Sequence, residues 1–292
     1  VDQTTGHLDL AEQRLRRLIA RQDMASLDRA HALGQLGDIL AVKNEVAEAF
    51  HFYQASNDVT RQMHASRYES TTTTSIRAFL AWMIDLFEKG SDLRWIPAEK
   101  PFPQPGAPAQ HAFLLGFPRS GTTLLEQVLE SHPGVTTSGE RDTLSDSLNE
   151  FMQEPEEMRR LSELRGATLS KHRRLYWEKV RGYGFDVGGR VFIDKQPMNT
   201  VNLPVITKLF PDAKILFAIR DPRDVVFSCF RRRFQINPSN FELLSLESVA
   251  RYYDRVMYLA DLYRERLPMN LMDLRHERLV EDFEGQVRKV CD

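Results

Sequence analysis

The chain has 292 residues, 42% hydrophobic and 27% charged, with a net charge of −2 and two cysteines, Cys229 and Cys291. Such a length predicts two domains or one large domain with an appendage, and the residue balance excludes a disordered or fibrous chain. The small net charge argues against a nucleic-acid binder, the isolated cysteines against a disulfide framework, and the lack of an apolar run near roughly 18 residues against a membrane span. The cysteine usage and the absence of a signal-peptide core near the N-terminus point to the cytoplasm.

Residues 1–95 carry a helical pattern, with apolar positions three and four apart. Within them Leu33, Leu36, Gly37, Leu40, Ala49, Tyr53 and Ser56 fall at the spacing of a tetratricopeptide repeat, whose small residues let two antiparallel helices approach closely. The segment resembles one such repeat and offers a surface for a protein partner, although Arg61 stands where the pattern's closing proline would be. A plain helical hairpin is the alternative. Ile76, Phe79, Leu80, Met83, Ile84 and Phe87 form a stripe that predicts a core-facing helix. Residues 96–110, with Pro97, Pro101, Pro103, Pro105 and Pro108, read as an extended linker, because proline lacks the donor that helix and sheet require.

Residues 111–292 alternate between short apolar runs and helical stretches. The runs 112–116, 191–193 and 214–219 suit strands buried on both faces; 121–131, 221–233 and 243–266 read as helices. The alternation predicts an α/β domain with a parallel sheet flanked by helices, of the type that carries a phosphate-binding loop.

That loop is Gly116-Phe117-Pro118-Arg119-Ser120-Gly121-Thr122-Thr123, between the first apolar run and a helix. Glycines let the backbone fold around an anion, and amides at a helix N-terminus then point at it. The Gly-x4-Gly spacing is that of nucleotide triphosphatases, but Thr122 occupies the position of their lysine, which counts against a kinase or ATPase. Arg119 supplies the cation instead, with Ser120, Thr122 and Thr123 adding hydroxyls or amides.

Pro118 to Thr123 resembles the 5′-phosphosulfate loop of sulfotransferases that use 3′-phosphoadenosine 5′-phosphosulfate (PAPS). The resemblance implies a second anion site after a later strand. Arg220 ends the run 214–219 and Ser228 follows eight positions on, similar to the family's contacts to the 3′-phosphate. An arginine at a strand end and a serine two helical turns later are able to converge on one oxyanion. The following Arg231-Arg232-Arg233 reads equally as a solvated, ion-paired face or as an anion attractor.

Sulfuryl transfer to a hydroxyl needs a base and a cation for the departing phosphate. Glu140, in Gly139-Glu140-Arg141, lies in a context similar to the catalytic glutamate of tyrosylprotein sulfotransferases. Lys195, closing Asp194-Lys195, is implied to approach the bridging oxygen, and Arg119 to share that task. His132 is the competing base, or else a structural cap after its helix. No metal is implied, since no Asp or His cluster stands at ligand spacing.

The whole pattern resembles bacterial repeat-containing sulfotransferases, with PAPS as donor and 3′,5′-adenosine bisphosphate (PAP) as product. The acceptor is a hydroxyl of a protein tyrosine, a carbohydrate or a small molecule. In this resemblance the final helical stretch, 279–292, precedes a further segment over the adenosine, which is expected to be missing from the chain. Two other readings stay open: a small-molecule or nucleoside kinase, and a non-catalytic nucleotide-binding interaction protein.

Overall fold

The computed structural model describes residues 7–69, 75–90, 93–99 and 106–291. The chain forms two compact units, one of Val1–Ala78 with Val226–Tyr252, the other of Phe79–Val225 with Tyr253–Asp292. Residues 100–105, in the proline-rich stretch, lie outside the described residues.

In the first unit, helix α1 spans Leu8–Ile19, α2 Ser26–Val42 and α3 Val46–Tyr68. A Cβ on Gly37 would lie 2.8 Å from the Tyr53 ring, so α2 and α3 meet where the sequence places its small residue and its aromatic. This is a helical hairpin. It packs on the returning segment: Asn57 donates to the Phe230 carbonyl (2.8 Å), and Arg233 pairs with Asp38 (2.7 Å). The arginine triplet thus includes an ion-pair partner. Helix α4, Ile76–Lys89, buries Leu80, Met83, Ile84, Leu86 and Phe87, the face that the stripe predicts.

The second unit is built on five strands: β1 Gln110–Gly116, β2 Val135–Thr137, β3 Val191–Lys195, β4 Lys214–Ile219 and β5 Asn270–Arg275. All pair in parallel, in the order β2-β3-β1-β4-β5. Parallel strands need long crossovers, supplied here by α5 Thr122–Glu130, α6 Ser145–Phe151, α7 Pro155–Glu163, α8 Gly166–Gly182, α9 Leu203–Leu209, α10 Pro222–Arg231 and α11 Leu246–Arg266. Helices α12 His276–Glu281 and α13 Phe283–Cys291 follow β5. The expected α/β class with a parallel, helix-flanked sheet is therefore observed.

Side chains alternate across β1. Ala112 and Leu114 join Leu125 and Leu129 of α5, Ile193, Leu216, Leu274 and Leu279 in one core, with Val287 of α13 packed against it. His111 and Phe113 face the other way, against Tyr176 of α8 and Phe210. Burial on both faces is why β1 and β4 read as continuous apolar runs.

From β1 the chain passes outward to β2, returns to β3, then crosses to β4 and β5 on the far side of β1. The connections leaving β1 and β4 consequently diverge, which opens a crevice at the C-terminal ends of these adjacent strands.

Candidate functional site

The loop after β1 lines that crevice. Gly116 has φ 151°, Arg119 φ 72° and Gly121 φ 101°. A positive φ is sterically costly for arginine and is held only where the surroundings enforce it, as at ligand clamps. Gly116 pairs in register with Ala218 of β4, and a Cβ there would come within 2.6 Å of the Ala218 carbonyl and 2.7 Å of Ser120 Oγ. Gly121, at the N-cap of α5, likewise leaves no room beside His276 Nδ1 (2.7 Å). Gly116→Ala is accordingly expected to lower stability by about 1–3 kcal/mol, from overpacking and backbone strain; denaturant unfolding with an unchanged midpoint would refute it.

The Gly116 amide donates to Thr200 Oγ1 (3.0 Å), and Thr200 Oγ1 lies 2.9 Å from both the Gly116 and Pro197 carbonyls. Thr200, fully buried, thereby ties the loop to the turn that follows β3. Ser120 and Thr122 are buried, while Arg119 and Thr123 are exposed. Ser120 Oγ has no hydrogen-bond partner among the described residues. A buried hydroxyl in that condition costs free energy unless a ligand oxygen meets it.

On one side of the loop, β4 ends at Ile219 and delivers Arg220. Its Nη2 reaches Asp224 Oδ2 (2.9 Å), whereas its Nε is buried without a partner among the described residues. Asp221 lends its amide to Glu277 Oε1 (2.8 Å) and its carboxylate to Arg223 (2.6 Å), which holds its pKa down at about 2. Ser228 lies on α10, beyond the point at which that helix passes into the first unit.

On the other side stands Lys195, the last residue of β3 and the register partner of Leu114. Its ammonium is buried and lies between two carboxylates, 2.8 Å from Glu140 Oε1 and 3.2 Å from Glu126 Oε2. Glu140 is 55% exposed at its side chain and Glu126 only 10%. The structure therefore brings the two predicted residues, Glu140 and Lys195, into direct contact. Glu126 was not singled out by sequence; its signal is its place on α5 four residues after Thr122, one turn along the same face. His132 spends its Nδ1 on the Gly134 amide (3.0 Å), the role of a turn cap.

The loop, Arg220 and Lys195 thus arise from the C-terminal ends of three neighbouring strands, β1, β4 and β3. Unpartnered buried donors at Ser120 and Arg220, with glycines at the points of closest backbone approach, fit a ligand bearing phosphate or sulfate oxygens. Among the described residues no group of three or more His, Cys, Asp or Glu is placed to hold a metal ion, and no helix is long and apolar enough to cross a membrane.

The family model for sulfotransferases matches residues 112–292, which hold every one of these groups. The chain belongs to the sulfotransferase family. It is 27% identical over 187 residues to protein-tyrosine sulfotransferase A of Caenorhabditis elegans, covering 62% of this chain and 48% of that protein. The Drosophila melanogaster protein-tyrosine sulfotransferase is 28% identical over 190 residues, 61% of this chain and 36% of the other. An uncharacterized Aquifex aeolicus protein is 26% identical over 189 residues, 62% of this chain and 25% of its own. The chain thus spans a quarter to a half of the length of these relatives. Among solved structures, the sulfotransferase domain of the Synechococcus PCC 7002 olefin synthase is 25% identical, with a TM-score of 0.43 over 66% of this chain and 76% of that one.

Proposed function

We propose that this chain transfers the sulfuryl group of PAPS to a hydroxyl acceptor. The observation that supports it most is the buried ammonium of Lys195 beside an accessible Glu140, at the same sheet edge as the phosphate-type loop and Arg220. In this reading the loop amides, with Pro118, Arg119, Ser120, Gly121, Thr122 and Thr123, hold the 5′-phosphosulfate. Arg220 takes the 3′-phosphate, and Ser228 joins it on the strength of the sequence spacing.

The acceptor oxygen attacks sulfur in line, forming the new S–O bond as the bond from sulfur to the 5′-phosphate oxygen breaks. Glu140 takes the acceptor's proton. PAP departs with the electron pair, its new charge met by Lys195 and Arg119. Such preorganised cations act strongly because they need no reorganisation at the moment of reaction. Glu126, 3.2 Å from the ammonium, keeps the lysine aimed before the donor arrives. The protein-tyrosine sulfotransferases among the relatives favour a phenolic hydroxyl as acceptor. The α2–α3 hairpin, repeat-like in spacing, is read as a partner surface, and Cys229 and Cys291, which are not joined in a disulfide, support a reducing, cytoplasmic setting.

Calorimetry with PAP on the native chain and on Arg220→Ala tests the donor site. We expect the variant to lose about 1.5–3 kcal/mol of binding, the worth of a charge-assisted hydrogen bond. Equal affinities would remove the 3′-phosphate assignment. Label transfer from sulfur-labelled PAPS, with none from γ-labelled ATP, separates this reading from a kinase; binding of PAP without transfer would indicate an interaction protein.

A further inference from the structure

Asp194, next to Lys195 on β3, is fully buried, and among the described residues no cation pairs with it. By strand alternation it faces away from Lys195. Three hydroxyls surround it instead. Thr143 Oγ1 (2.6 Å) and the Tyr176 phenol (2.7 Å) donate to Oδ2, and Ser138 Oγ lies 3.2 Å from Oδ1. Because the phenolic proton of Tyr176 is engaged there, the 2.9 Å contact between Tyr176 and His111 Nε2 is a donation by the histidine. Burial holds His111 near a pKa of about 3, so its ring is neutral and able to play that part.

Two of these donors are placed in an informative way. Ser138 and Thr143 stand immediately before and after residues 139–142, the turn that carries Glu140. Ser138 Oγ also accepts the Lys195 amide (3.0 Å), and the Ser138 amide donates to the Ile193 carbonyl (3.0 Å). One carboxylate therefore gathers both ends of the Glu140 turn onto the strand end that presents Lys195.

We propose that Asp194 is a positioning residue, whose buried carboxylate pins the Glu140 turn at both ends and so sets the separation of Glu140 from Lys195. The proposal rests on the sulfotransferase reading for its catalytic consequence, but its geometric content is independent of that reading. A hydrophobic residue would complete this part of the core without a buried charge. Burial pushes the Asp194 pKa up, against the downward pull of its three hydroxyl donors: the stability linked to this group is full below the ordinary carboxyl pKa and is lost as pH rises through the elevated one. Replacing a group whose charged form burial disfavours is therefore expected to cost the fold little, unlike the removal of a plain structural element.

The test is Asp194→Asn, which keeps the shape and removes the charge. Amide hydrogen exchange is expected to quicken at residues 139–142 and at Lys195, while the melting temperature at neutral pH does not fall and PAP binds as before. With PAPS and a tyrosyl peptide as probe acceptor, kcat is expected to drop by about tenfold to a hundredfold at an unchanged KM for PAPS, as a small misplacement of reacting groups does. Thr143→Val, which frees one end of the turn and leaves the carboxylate, is expected to quicken exchange over 139–142 and is the variant to use should the Asn protein not fold. Unaltered exchange in the turn would overturn the proposal, as would a lowered melting temperature with faster exchange throughout the sheet. A native chain that binds no PAP and transfers no label would instead count against the sulfotransferase reading, and the exchange measurement would still decide the role of Asp194.

Discussion

Glu140→Gln is expected to bind PAP as the native chain does and to transfer sulfuryl about 10²–10⁴-fold more slowly, the usual worth of a positioned general base. The geometry sets up this separation of binding from chemistry. Glu140 is more than half exposed, so an acceptor is able to reach it, and its carboxylate meets the Lys195 ammonium at 2.8 Å. A glutamine amide fills the same volume and still offers an oxygen to that ammonium, yet accepts no proton from a hydroxyl. Single-turnover transfer alongside calorimetry reads both quantities. Unchanged turnover would return the role to another base, and His132, whose Nδ1 is occupied by Gly134, would then have to act through its other nitrogen.

Lys195→Met is expected to lower kcat by about 10²–10³-fold, the effect of losing one preorganised donor to a developing oxyanion. It is also expected to destabilise the fold, by about 3–5 kcal/mol, because the nearly buried Glu126 would be left without its cation. These effects part in the double variant. Adding Glu126→Gln to Lys195→Met removes the stranded carboxylate, so melting should recover while turnover should not. Recovery of turnover together with melting would mean that Lys195 serves the fold alone.

The parts of the site that were legible in the sequence are those whose chemistry and local structure coincide. The loop 116–123 shows itself because two glycines, an arginine and three hydroxyl residues sit between a strand pattern and a helix pattern. Lys195 and Arg220 are each the first charged cation after a buried run, the place where parallel strands present function. Strands β2 and β5 gave no such signal. Both are edges of the sheet, β2 with three residues and β5 with Asn270, Asp273 and Arg275 among its six, and an edge strand is not obliged to be apolar on both faces. Glu126, Thr200 and Asp194 were hidden for another reason. Their partners lie far along the chain, at Lys195, Gly116 and Thr143, and only the register of the sheet brings them together. The repeat-like spacing of residues 33–56 was a sound guide to two helices in close contact, since a glycine facing a tyrosine ring is a local matter of size.

The pairing of Gly116 with Ala218 gives the two elements proposed to bind the donor's phosphates a common ruler. Their spacing is a property of main-chain hydrogen bonds between neighbouring strands, so no exchange of surface side chains alters it. A slip of one residue would carry Arg220 some 3.3 Å along the strand axis and turn it to the opposite face. Acceptor-facing loops in such a scaffold are consequently at liberty to diversify, lengthen or change charge while recognition of the nucleotide stays constant.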